Sequence, residues 1–286
     1  MILVTGANGQ LGRAIVERLL TRVPAAQLGV SVRKPEQASA LRERGVRVRR
    51  GDFTDAASLQ HAFAGATQIL IVSAAPTGDE AVRQHGAALE AARAAGVRRI
   101  VYTSHMGAGP ASAFAPMVDH AATEALLQAS GVAFTSLRNG FYAASGLMLM
   151  GQALETGKLV APEDGPVSWT AHADLAEAAA IALAEEGRLD GRTPPLTASR
   201  ALHLADLAAM AAELTGRPIT RVTVPDDEYR ASLIAHGVPE PRADLLVGLF
   251  VASRRGEFAA VDPTLERLLG RRPTSVRDLL ASRLSR

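Results

Sequence analysis

Cysteine is absent from the 286 residues, which excludes disulfides, thiolate metal sites and cysteine nucleophiles. Lysine is almost as scarce. Lys34 and Lys158 are the only two, so arginine carries nearly all of the positive charge. Neither sign of charge is in excess: 31 Lys and Arg against 29 Asp and Glu leave +2, so a pI of 9.4 gives no polyanion-binding patch and no nucleic-acid partner is expected. No apolar run approaches the roughly 18 residues that cross a bilayer. The apolar start MILVT runs into a glycine turn with no basic leader. A cytoplasmic protein without membrane contact is the expectation.

What is present is globular composition, 48% apolar and 21% charged. Short β-rich runs at 1–5, 28–32, 45–49, 67–73, 98–103 and 132–137 alternate with helical stretches at 10–22, 36–44, 55–64, 79–95 and 117–130. Several of these strands are continuously apolar, as strands covered on both faces are, and the alternation predicts an α/β fold with a parallel sheet. Asp55 and Gly96 stand where a helix N-cap and C-cap belong. After about residue 145 helices dominate, at 172–185, 203–215, 226–236, 240–254 and 275–283, with extended pieces at 158–161 and 219–224. Pro- and Gly-containing joints fall at 162–166 and 191–196. The reading is a Rossmann-type, doubly wound parallel sheet over 1–145. A smaller, mostly helical C-terminal lobe over 146–286 covers the substrate, with part of it returning to the first domain.

Residues 1–12, MILVTGANGQLG, place Gly6, Gly9 and Gly12 between an apolar strand and the helix LGRAIVERLL. Glycine permits the tight bend, the missing side chains let backbone N–H groups approach a pyrophosphate, and the helix turns its positive end toward the anion. The spacing G-x-x-G-x-x-G is the form seen in short-chain dehydrogenase/reductase proteins. The second strand ends SVRKPE, where a site for NAD offers a carboxylate about 20 residues beyond the turn. Here Arg33 and Lys34 stand instead, and Glu36 lies beyond Pro35. Two cations suit the 2′-phosphate of NADP(H), although solvated surface charges would look the same. Asp52 and Phe53 follow the third strand, placed either to meet the adenine or to serve as a turn residue and a core aromatic. Ser73 and Ala74 end the fourth strand and are small enough to let a ribose pass.

The Tyr-x-x-x-Lys pair of most short-chain dehydrogenases is missing. Four residues beyond Tyr102, Tyr142 and Tyr229 stand Met106, Gly146 and Leu233. Mechanisms that need an acid–base tyrosine, among them sugar-nucleotide epimerisation, lose support. In that place the chain reads DHAATE at 119–124, with His120 where the lysine of related enzymes lies and Glu124 one turn later on the same face. His120 is the candidate catalytic residue, although a histidine at a helix start is more often an ordinary surface or hydrogen-bonding residue.

With GANGQLG, SVRKPE, GDF, YTS, HAATE and SLRNGFY in order, the chain resembles the NmrA-like group of atypical short-chain dehydrogenases/reductases. It is most similar there to the branch of bacterial NADPH:quinone oxidoreductases and triphenylmethane dye reductases. The resemblance extends through AELTGRPI at 212–219 and LLGRRPTSVRDLL at 268–280. It implies NADP(H) along Gly6 to Gly12 with Asn8, Gln10 and Leu11 at the phosphates, and Arg33 at the 2′-phosphate. It also implies Thr103, Ser104, Asn139, Gly140 and Tyr142 around the nicotinamide. Two segments depart from the family pattern. Ala143-Ala144-Ser145 stands where more polar residues, including an acid, are expected, and His105-Met106 occupies a variable position. His105, Phe141, Tyr142 and Trp169 are candidates for the wall against an acceptor, or are simply core.

Two functions from different classes follow. One is an NADPH-dependent reductase of quinones or similar conjugated acceptors, whose delocalised product anion makes a strong built-in acid less necessary. The other is a non-enzymatic NADP(H) sensor of the NmrA type, which the missing tyrosine also suits. No metal is expected. The chain is read as a monomer or homodimer, with helical faces at 79–95 and 117–130 available for pairing.

Overall fold

The computed structural model describes residues 1–285. Seven parallel strands form the main sheet: β1 (Ile2–Thr5), β2 (Leu28–Val32), β3 (Arg47–Arg50), β4 (Gln68–Ile71), β5 (Arg99–His105), β6 (Ala133–Asn139) and the two-residue β8 (Gly191–Arg192). Their order is β3-β2-β1-β4-β5-β6-β8, and β7 (Lys158–Ala161) pairs separately with β9 (Thr220–Thr223). The order reverses between β1 and β4, which opens the crevice where ligands of such sheets bind.

Helices cover both faces. On one side α1 (Gln10–Leu20), α2 (Ser39–Glu43) and α8 (His172–Ala184) bury Leu11, Ile15, Leu19, Leu41 and Leu175 against Val4, Val30 and Val101. On the other, α3 (Ala56–Phe63), α4 (Asp79–Ala94) and α5 (Ala115–Ala129) bury Leu59, Phe63, Leu89 and Leu127 against Ile69, Ile71, Ile100 and Tyr102. Two covered faces explain why β1, β2 and β4 are buried at every position and mostly apolar. The edge strand β3 is only half-buried, and Arg47 reaches from it to the carbonyls of Ala62 and Ala64 at 3.1 and 2.8 Å. The Asp55 side chain caps α3 by accepting from the Ser58 N–H at 3.0 Å.

The remaining elements are α6 (Ala143–Leu149), α7 (Ala153–Thr156), α9 (Leu204–Thr215), α10 (Asp226–Ala235), α11 (Glu240–Arg254), α12 (Thr264–Leu269) and α13 (Val276–Leu284). A second core joins Met150, Leu159, Trp169, Leu207, Phe250, Phe258 and Leu280, and reaches Met117 and Phe141 at the end of the sheet. The chain does not stay in that lobe once it arrives. The segment 172–185, read as lobe from the sequence, packs along α1 and roofs the sheet, and α12 packs on it in turn.

Candidate active site

The glycine turn has a steric explanation at two positions. Gly6 has φ +65°, a conformation that side chains disfavour. A Cβ on Gly12 would lie 2.4 Å from the Gly6 carbonyl oxygen, so only glycine lets α1 start directly above the turn. The turn closes on itself through Gly9 N–H to the Gly6 carbonyl at 2.9 Å, and Asn8 donates to the Lys34 carbonyl at 3.0 Å. The β1 and β2 ends are thereby tied together beneath a cleft of about 830 Å³.

Gly6, Asn8, Gly9, Arg33, Lys34, Asp52, Phe53, Ser73 and Ala74 all line this cleft. Arg33 and Lys34 are exposed at its rim. Asp52 Oδ1 accepts from the Thr54 N–H and hydroxyl at 3.0 and 2.8 Å. The Thr54 backbone bond leads the effects that hold its carboxyl below the usual range, with Arg33 and Arg50 adding to them. A buried hydroxyl on the cleft wall, Ser31 Oγ, has no hydrogen-bond partner among the described residues. An orphaned hydroxyl, a glycine cradle and two rim cations together fit a phosphorylated dinucleotide.

A family model described as NAD(P)H-binding matches residues 6–186. The chain belongs to that NAD(P)H-binding family, in its NmrA-like atypical short-chain dehydrogenase/reductase branch. Over 277 residues, 96% of each chain, it is 36% identical to quinone oxidoreductase 2 of Escherichia coli strain K12. A solved NADPH-dependent quinone oxidoreductase from Escherichia coli, complexed with NADPH, superposes with TM-score 0.94 at 34% identity and covers 100% of both chains. The Citrobacter sp. triphenylmethane reductase complexed with NADP(H) superposes with TM-score 0.90 at 33% identity over 99% of both.

Several residues expected at the nicotinamide end of this family's site are placed otherwise. Ser104 is buried between the sheet and α5 and donates to Glu124 Oε1 at 2.8 Å; strand alternation turns it away from Thr103. Thr103 is buried too, and its hydroxyl accepts from the Ser73 N–H at 2.9 Å, so it supports the cleft floor from below. Gly140 is packed against Thr170, and Leu11, expected at the phosphates, has its side chain in the core. Asn139 is buried at the end of β6 with Oδ1 unpartnered. Tyr142 remains half-buried, its ring 4.3 Å from that of His172.

The proposed acceptor wall also needs correction. Phe141 and Trp169 are 6% and 2% exposed, and their rings meet edge-on at 5.3 Å inside the lobe core. His105 is buried against Phe141 and Phe258, and burial pushes its pKa well below the ordinary histidine value. These aromatics join the lobe to the sheet; they leave no face open to a ligand. Gln10 instead lines a second cleft, of about 510 Å³, with Ala143, Ala144, Leu147 and His172. Because Gly9 faces the first cleft and Gln10 the second, the start of α1 stands between the two.

His120 is half-buried on α5, 6.2 Å from His105 ring to ring. Its Nδ1 lies 2.7 Å from the Tyr102 hydroxyl. Burial holds Tyr102 in its neutral, protonated form, and burial with the nearby His85 lowers His120 to about 4. With the phenol as donor to Nδ1, the neutral imidazole carries its own proton on Nε2, which has no partner among the described residues. No lysine four residues on marks this tyrosine in the sequence, because its partner lies eighteen residues away on the next helix. Gln37, Thr54 and Gln84 also line the first cleft, and no spacing rule marked them.

Proposed function

We propose that this chain is an NADPH-dependent reductase that delivers hydride to a quinone or a similar conjugated acceptor. The observation that carries the proposal is the glycine-cradled cleft with Arg33 and Lys34 on its rim, in a chain aligned end to end with oxidoreductases of that type. The relatives at 30% identity or more carry the names of oxidoreductases and reductases, which favours catalysis over a purely sensing role.

The amides of the turn and the start of α1 hold the pyrophosphate, Arg33 and Lys34 clasp the 2′-phosphate, and Asp52 Oδ2 receives the adenine amine. Bound NADPH supplies the hydride. His120 Nε2–H supplies a hydrogen bond to the acceptor oxygen as negative charge develops on it, with the ring held in place by Tyr102. A neutral imidazole stabilises that charge without giving up a proton outright, which matches an acceptor whose product anion is delocalised. With Phe141 and Trp169 buried, the second cleft, walled by Ala143, Ala144 and His172, serves as the approach for a flat acceptor.

The test is loss of NADPH absorbance on addition of benzoquinone, with no flavin present. Turnover across a quinone panel is expected, and its complete absence overturns the proposal. Filling the second cleft by Ala144→Trp should raise the acceptor KM about tenfold or more with NADPH affinity unchanged; an unaltered KM removes that cleft from the acceptor path.

A further inference from the structure

Beyond β4 the backbone of Val72, Ser73 and Ala74 runs along the floor of the NADPH cleft. Each of the three N–H groups is taken by a side chain. Val72 donates to Thr5 Oγ1 at 2.9 Å, Ser73 to Thr103 Oγ1 at 2.9 Å, and Ala74 to His85 Nε2 at 2.8 Å. The first two acceptors are hydroxyls on the neighbouring strands. The third is an imidazole on α4, 2% exposed and edge-on to Tyr102 at 5.3 Å.

An amide can only donate, so His85 Nε2 carries no proton and the neutral ring must carry one on Nδ1. That nitrogen meets Thr123 Oγ1 at 2.8 Å, and the Thr123 hydroxyl donates to the Asp119 carbonyl at 2.9 Å. Every proton in the chain Ala74 to His85 to Thr123 to Asp119 therefore runs one way. Asp119 and Thr123 flank His120 on the same turn of α5, and the Asp119 carboxylate accepts from the Gly78 N–H at 2.8 Å, further along the same loop. The imidazole is a spacer of fixed polarity between the cleft floor and the helix turn that bears His120. Burial lowers its pKa to about 4, so it stays neutral at pH 7, and the two hydrogen bonds fix which nitrogen carries the proton.

We infer that His85 is a positioning residue for the cofactor: by accepting the Ala74 N–H it fixes the backbone on which NADPH lies and registers that backbone to α5. The inference rests on the cleft being the NADPH site.

Three variants separate the two halves of the imidazole. In His85→Gln the side-chain oxygen replaces Nε2 and still accepts from Ala74. In His85→Asn the amide replaces Nδ1 and reaches only Thr123. His85→Leu keeps neither bond. Fluorescence titration with NADPH, well below each variant's melting temperature, is expected to show the Kd within about threefold of wild type for Gln. Asn and Leu are expected to weaken it about tenfold, the scale of one buried hydrogen bond. The NADPH KM should follow the Kd while the quinone KM stays put. If Asn holds NADPH as tightly as wild type, or Gln binds as poorly as Asn, the inference is overturned, whatever happens to Tm. Should Leu fail to fold, the Gln and Asn pair decides alone. Wild-type protein that takes up no NADPH would instead overturn the reading of the cleft.

Discussion

Arg33 stands exposed at the rim of the cleft, where a guanidinium can grip a phosphate in a planar fork. Arg33→Ala is expected to weaken NADPH binding about tenfold to a hundredfold, the range for a lost charge-assisted hydrogen bond, and to leave NADH binding unchanged. Parallel titrations with the two nucleotides check this, and an unchanged ratio would remove Arg33 from the 2′-phosphate. His120→Phe keeps the ring volume but removes Nε2–H, so kcat for quinone reduction should fall about tenfold with NADPH affinity intact. Tyr102→Phe, which frees the imidazole tautomer, should show a smaller loss of the same kind in steady-state kinetics. At this scale the sequence was legible wherever backbone sterics dictate the residue, as at Gly6 and Gly12. It was ambiguous for Phe141 and Trp169, because an aromatic ring suits a ligand wall and a core equally well. His85 gave no sign at all, since its role depends on an amide eleven residues away that only the fold brings near.

The α5 turn around Glu124 ties four elements together. Glu124 is buried and accepts from Ser104, Ser136 and Arg138, and it pairs with Arg192 of β8 at 2.9 Å. Burial pushes its pKa up, but the bonds from Arg138, Ser104 and Ser136 outweigh this and leave it below the usual carboxyl range. Removing the charge leaves the buried Ser104 and Ser136 hydroxyls without their acceptor, while the partly exposed Arg138 and Arg192 turn to water and Arg192 keeps Gln128. Glu124→Leu should therefore cost about 1–3 kcal/mol, measured by urea unfolding, whereas Glu124→Gln should cost less by keeping some acceptors. The helices and strands flanking this turn announce themselves by apolar runs and caps. Others did not. Strand β8 is only Gly191-Arg192, too short for any periodicity, and lies in what reads as a Pro/Gly joint. Helix α6 carries Gly146 in its middle, and that glycine is there because the Trp169 ring would lie 2.9 Å from a Cβ.

For the whole molecule, the buried histidines set the response to acid. His85 and His120 sit near 4 in the folded chain, chiefly through burial, against about 6.5 when unfolded. Between those values the unfolded chain binds more protons. The stability they confer is thus fully present above pH 6.5 and is lost as pH falls toward 4, on the order of 3 kcal/mol for each. Calorimetry should find Tm nearly level from pH 8 to 7 and falling steadily below 6.5, with a shallower fall in His85→Gln. A Tm that stays level down to pH 4.5 would contradict the burial of these rings.

The return of α8 to the sheet has a consequence for biosynthesis. When the first 145 residues have left the ribosome, Leu11, Ile15, Val16 and Leu19 of α1 still lack part of their cover, because α8 and α12 are yet to be made. The nucleotide-binding half therefore cannot mature ahead of the rest, and a fragment ending near residue 145 should emerge sticky and chaperone-bound. A fragment extended beyond α8 and β8 regains most of that cover and should be the shortest one worth expressing.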